Sequence, residues 1–136
     1  MKPLHILWQR LVSEGETCDR CRATQREVEQ AVETLKASLG PLGLEPALEI
    51  RELDEATFRE DPLASNRIWI AGRPMEEWLD AEVGQSPCCS VCGDAACRTV
   101  EVQGVTYETI PESLLLRAAL IAAASGLGDD SPVTPT

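Results

Sequence analysis

Residues 4–21 read LHILWQRLVSEGETCDRC, and the passage from the apolar run to the two cysteines decides the fold. Residues 4–12 are rich in apolar and β-compatible side chains and suit a largely buried strand. Residues 13–17 follow as a short loop, with Thr17 available to cap a helix. Beyond Cys18, apolar residues recur at Val28, Ala31, Val32, Leu35 and Leu39. Steps of three and four describe one face of a long helix, which Gly40 and Pro41 stop. Cys18 and Cys21 therefore stand between a strand and the helix it feeds.

Farther along, residues 44–53 (LEPALEIREL) alternate Leu44, Pro46, Leu48 and Ile50 with mostly charged residues, which predicts a second strand. Pro46 has no N–H to donate, so this strand belongs at a sheet edge or begins after it. Residues 56–60 suit a helical turn closed by Asp61-Pro62, and NRIWIAGRP (66–74) a short strand running into a Gly/Pro turn. MEEWLD (75–80) reads equally as a short strand or a helical turn. Val100 and Val102 face Tyr107 and Val105 across Gln103-Gly104, the signature of a tight hairpin. Pro111 suits the first position of a last helix, from Glu112 to about Ser125, apolar almost all round and ended by Gly126 and Gly128.

A strand, a long helix and a second strand imply a parallel βαβ unit with a right-handed crossover. The hairpin adds antiparallel strands, so the expected class is α/β with a mixed sheet flanked by helices. Residues 1–128 read as one domain with a cysteine-rich loop at 86–98 before the last hairpin and helix. Residues 129–136 read as a flexible tail.

The chain has 136 residues, 43% of them hydrophobic, enough for a single core. A net charge of −11 argues against nucleic acid or an anionic membrane surface as partner. No stretch approaches the roughly 20 apolar residues that span a bilayer, and the first residues lack the apolar run and cleavage site of a signal peptide. The expectation is a cytoplasmic protein without membrane insertion. In that compartment closely spaced cysteines point to catalysis or metal binding rather than structural bridges.

Cys18-x-x-Cys21 gains chemical meaning from its place. Unpaired N–H groups and the positive end of a helix dipole stabilise a thiolate in the first turn, and two cysteines three apart can close a disulfide. Arg20 and Arg22 add positive charge there, opposed by Glu14, Glu16 and Asp19. Redox chemistry and thiophilic metal chemistry are both open to such a pair.

At this point the chain resembles the thioredoxin-like superfamily, whose first half is a strand, a CxxC at the helix start and a second strand. RIWIAGRP resembles that fold's later strand and turn. More closely, the chain is similar to a small family of prokaryotic thioredoxin-like proteins without an assigned function. The similarity runs through WQRLVSEGETCDRC, DPLASNRIWIAGRPMEEWL and VGQSPCCSVCGDAACRTVEV and covers roughly residues 4–125. It implies a thioredoxin-like sheet flanked by helices. Enzymes of the superfamily usually carry a cis-proline just before the later strand; here Ala64-Ser65-Asn66 stand there, and no aromatic residue precedes Cys18. The expected reaction is thiol–disulfide exchange, with Cys18 attacking and Cys21 resolving the mixed disulfide.

The other four cysteines, Cys88, Cys89, Cys92 and Cys97, form C-C-x2-C-x4-C. Thiolates bind Zn²⁺, Cu(I), iron–sulfur clusters and other soft metals or metalloids. Cys89-x-x-Cys92 is a chelating spacing, and Gly93 permits the turn that brings Cys97 back. Zinc is the first expectation for a resident ion and an iron–sulfur cluster the second. The expected partner is a redox partner protein or, in the alternative of non-enzymatic binding or transfer, a thiophilic metal or metalloid of the zinc, copper, arsenic or mercury type. At least one loop cysteine is expected within disulfide or common-metal reach of Cys18 or Cys21. His5, the only histidine, sits in an apolar strand and reads as structural, which disfavours histidine-ligated zinc hydrolysis. Trp8, Trp69 and Trp78 read as core or rim residues.

Overall fold

In the computed structural model, which describes residues 2–11, 19–87 and 96–129, strand β1 (Lys2–Leu11) is an inner strand of a four-stranded sheet. Its order is β2-β1-β3-β4. β2 (Leu44–Leu53) runs parallel to β1, joined to it through helix α1 (Asp19–Leu39). β3 (Arg67–Ile70) runs antiparallel to β1 on its other side, and the two-residue β4 (Arg73–Pro74) turns back on β3. A short helix α2 (Glu55–Glu60) follows β2, capped by the Asp54 carboxylate, which accepts from Thr57 N–H at 2.8 Å. Residues 75–80, ambiguous from sequence, form a helical turn, α3 (Met75–Leu79), closed by Asp80 in the left-handed region.

Alternation along β1 decides which face is buried. Leu4, Ile6 and Trp8 are buried and join Val28, Ala31, Val32, Leu35 and Leu39 of α1 in the main core, with Ile68 and Ile70 of β3. The last helix, α4 (Glu112–Asp129), adds Leu114, Leu115, Ala118, Ala119, Ala122 and Ala123 to the same core. Across the sheet, His5 lies exposed with Nε2 3.5 Å from a Glu49 carboxylate oxygen, a surface contact on the strand.

Pro46 fits its place on the edge. Lys2 N–H donates to the Gly43 carbonyl, and in a parallel ladder this phase directs the peptide groups of residues 45, 47, 49 and 51 toward β1. Those of residue 46 face outward, so its missing N–H costs the sheet no bond.

Three expectations are corrected. The later strands do not extend the first sheet. β5 (Glu82–Pro87), β6 (Ala96–Val102) and β7 (Val105–Tyr107) form a separate three-stranded antiparallel sheet. β4 is too short, and its Pro74 lacks the N–H, to carry the first sheet onward. Second, Ser86, Pro87, Ala96, Cys97 and Arg98 are not loop residues but strand residues, paired Ser86↔Cys97 and Pro87↔Ala96. Third, Pro111 stands one position before α4, its carbonyl accepting from Leu115 N–H, and the helix runs through Gly126 and Gly128 to Asp129. A helical glycine costs about 1 kcal/mol, and it ends a helix only where the backbone also turns left-handed. On α4 the apolar residues Leu120 and Ile121 are 48% and 40% exposed. Of the expected tail at 129–136, Asp129 ends α4 and residues 130–136 lie outside the described residues.

The Val102–Val105 hairpin is as expected, with Val100 opposite Tyr107 and Val102 opposite Val105. Gln103 and Gly104 take φ of 51° and 82°, the positive pair that a type I′ turn requires.

Candidate functional site

The sequence placed its first candidate pair at the join between β1 and α1. Cys21 is the third residue of α1. Cys18, one residue before the helix, lies outside the described residues together with the expected cap Thr17 and loop 13–17.

One turn beyond Cys21, α1 is fastened from inside by a buried polar network. Thr24 is fully buried, and its Oγ1 accepts from Asn66 Nδ2 at 3.1 Å and from Ile110 N–H at 3.2 Å. Asn66 Oδ1 accepts in turn from Trp8 Nε1 at 2.9 Å, and Asn66 N–H donates to the Gln9 carbonyl at 2.7 Å. Gln9 Nε2 donates to the Ala64 carbonyl at 2.9 Å. The end of β1, the start of α1, the approach to β3 and the approach to α4 thus meet at one buried amide and one buried hydroxyl. Asn66 holds φ of 64°, a conformation asparagine tolerates better than most residues. Among the described residues no peptide bond is cis.

A second layer surrounds this network. Arg10 Nη1 donates to Gln25 Oε1 at 2.7 Å and Nη2 to Glu52 Oε2 at 3.0 Å, bracing the start of α1 against the end of β2. Glu27 Oε1 accepts from Glu112 N–H at 2.9 Å, so α1 supplies a carboxylate to the N-terminus of α4.

The strand that carries Cys97, β6, is tied to the same end through Arg98. Arg98 is 6% exposed, pairs with the Glu76 carboxylate, and donates from Nη1 to the Leu63 carbonyl at 2.7 Å. Burial pushes the Arg98 guanidinium below its ordinary value, while Glu76 opposes that shift. Leu63 adjoins Ala64, which Gln9 holds. The start of β6, where Cys97 lies opposite Ser86, is thereby anchored beside the segment that closes over the end of β1. Cys88, Cys89 and Cys92 lie outside the described residues; they belong to the eight-residue connection between the paired Pro87 and Ala96. Among the described residues no group of three or more His, Cys, Asp or Glu could hold a metal ion, and the thiolate set of 88–97 falls outside that statement.

Sequence reasoning missed Thr24, Asn66 and Arg98. One signal was present: Thr24 is a polar residue on the stripe that continues through Val28, Ala31 and Leu35. Among the described residues no helix is long and apolar enough to cross a membrane.

Residues 4–119 match the family model described as domain of unknown function (DUF2703), and the chain belongs to that family. It is also 47% identical over 112 residues to an uncharacterized protein of Archaeoglobus fulgidus, covering 82% of each chain. No solved structure matches it.

Proposed function

We propose that this chain is a cytoplasmic thioredoxin-like thiol protein that uses Cys18 and Cys21 for thiol–disulfide exchange. The observation that carries this reading is the 21-residue α1 as the next described element after β1, with Cys21 in its first turn and the second turn fastened by Thr24 and Asn66. The strand order β2-β1-β3-β4 and the packing of α1 and α4 into one core support the thioredoxin-like assignment.

The step balances without a cofactor. The Cys18 thiolate attacks one sulfur of a partner disulfide, forming a mixed disulfide and releasing the other partner sulfur as thiolate. The Cys21 thiolate then attacks the Cys18 sulfur, and the second partner thiolate leaves. Two electrons pass to the partner, its two thiolates take up two protons, and Cys18–Cys21 becomes the disulfide. The helix start stabilises the attacking thiolate. Network bonds at Thr24 limit how far the backbone bearing Cys21 moves between the two states.

A second reading, binding or transfer of a soft metal or metalloid, is favoured by the β5–β6 register. Pairing at Pro87 and Ala96 closes the ends of the segment that carries three thiols, and Cys97 adjoins it. Cys88, Cys89, Cys92 and Cys97 would hold such an ion, which as zinc would cross-link that segment. Arg98 holds the strand of Cys97 at the end of the fold where α1 begins, and one or more of these thiols is proposed within reach of Cys18 or Cys21.

Reduction of insulin by the pre-reduced protein tests the first reading; activity lost in Cys18→Ser and kept in a variant lacking Cys88, Cys89, Cys92 and Cys97 supports it. No activity in the parent protein, with a stoichiometric metal found by elemental analysis, favours the second. Mapping of disulfides after mild oxidation tests the proximity, and only local pairs within each group would contradict it.

A further inference from the structure

Strand β2 carries no cysteine. β2 has β1 on one side and no strand on the other among the described residues. The bond from Lys2 N–H to the Gly43 carbonyl fixes the phase of the ladder: even-numbered residues of β1 bond toward β2. The opposite phase serves β3, since the His5 and Gln9 carbonyls accept from Ala71 and Asn66. Residues 44, 46, 48, 50 and 52 of β2 therefore turn their peptide groups to the open edge. On the helix-side face this edge carries half-buried Leu48 and Ile50, which is 37% exposed. On the other face it carries exposed Glu49 and Arg51.

We propose that β2 pairs antiparallel with β2 of a second copy of this chain, about a two-fold axis at Ile50, joining two four-stranded sheets into one. Three features select this register. Leu48, Ile50 and Glu52, all with outward N–H and C=O groups, then meet Glu52, Ile50 and Leu48 of the second copy, so each N–H finds a carbonyl. Pro46, which has no N–H to offer, falls beyond those pairs; a register centred on Leu48 would set it against the Ile50 carbonyl of the second copy. A register centred on Glu52 would oppose Glu49 to Glu55. Centring on Ile50 instead sets Glu49 opposite Arg51 of the second copy twice over, in the non-hydrogen-bonded positions where side chains lie closest. Within one chain the same two groups are 3.9 Å apart, so both stand exposed on one face of the strand. The edge is complementary to itself in peptide groups, in the contact of Ile50 with its own copy, and in charge at Glu49 and Arg51.

The test is light scattering of the full chain over a dilution series, at an ionic strength near ~0.15 M so that the net charge of −11 is screened. The parent protein forms a dimer that dissociates on dilution. Arg51→Glu and Glu49→Arg each place like charges opposite one another twice and weaken the dimer by about tenfold or more. The double variant Glu49→Arg/Arg51→Glu restores the opposite-charge pairs and the dimer, which also shows that these exposed positions do not govern folding. A monomer at every concentration overturns the proposal, as does a dimer indifferent to both single reversals. A double variant that stays monomeric overturns the register.

Discussion

Asn66 joins Trp8 to Thr24: its Oδ1 accepts from the indole N–H at 2.9 Å, and its Nδ2 donates to the threonine hydroxyl at 3.1 Å. Trp8 and Thr24 are both fully buried, so neither group finds water if the amide is removed. Asn66→Ala leaves the indole N–H without a partner and keeps a strained left-handed φ without asparagine's tolerance for it. The expected loss is about 2–4 kcal/mol, read from urea unfolding. A loss below about 0.5 kcal/mol would mean that the network does not hold these elements together.

Arg98 and Glu76 form a nearly buried ion pair, with side chains 7% and 13% exposed. Arg98→Met leaves the Glu76 carboxylate and the Leu63 carbonyl without their partner, and about 3–5 kcal/mol is the expected cost. Adding Glu76→Leu recovers most of that loss, because the uncompensated charge disappears. Two independent, additive losses in the double-mutant cycle would contradict the pairing.

Gly84 of β5 lies against β6 so closely that an added Cβ would sit 2.9 Å from Thr99 Oγ1. Gly84→Ala forces that short side chain to shift, at an expected 1–3 kcal/mol or about that order. Thr99→Ala in the same background relieves the clash. Unchanged stability in Gly84→Ala would show that β5 does not hold this register.

The same glycine shows how far the sequence could be read. β1, α1, β2 and the Val102–Val105 hairpin were legible because each carries a strong period or a two-residue turn. β5 was not. EVGQSP offers one apolar residue, Val83, itself 38% exposed, and the cysteines next to it suggested a loop that began too early. An isolated glycine in a strand marks close backbone approach, the one clue the segment contained. Cys21 could be placed at the start of α1 from sequence because that position depends on neighbours in the chain. The network beneath it could not: Asn66 bonds Trp8 across 58 positions and Thr24 across 42, and nothing local announces such a partner.

Asp54 gives a pH signature. The backbone N–H of Thr57 holds its carboxyl below the ordinary value of 3.8. A depressed carboxyl stabilises the fold at pH above that value, and the contribution disappears as pH falls through the lower folded-state value. The stability difference between the parent protein and Asp54→Ala should therefore be full at neutral pH and shrink in acid below 3.8. A difference independent of pH would contradict the cap.

The most direct test of the proposed exchange reaction is mass spectrometry of Cys21→Ser after reaction with a disulfide-bonded substrate such as insulin. The exchange mechanism predicts a stable mixed disulfide on Cys18, absent from Cys18→Ser and resolved when Cys21 is restored. A Cys21→Ser protein that stays unmodified at Cys18, or is trapped only on the cysteines of residues 88–97, would contradict it.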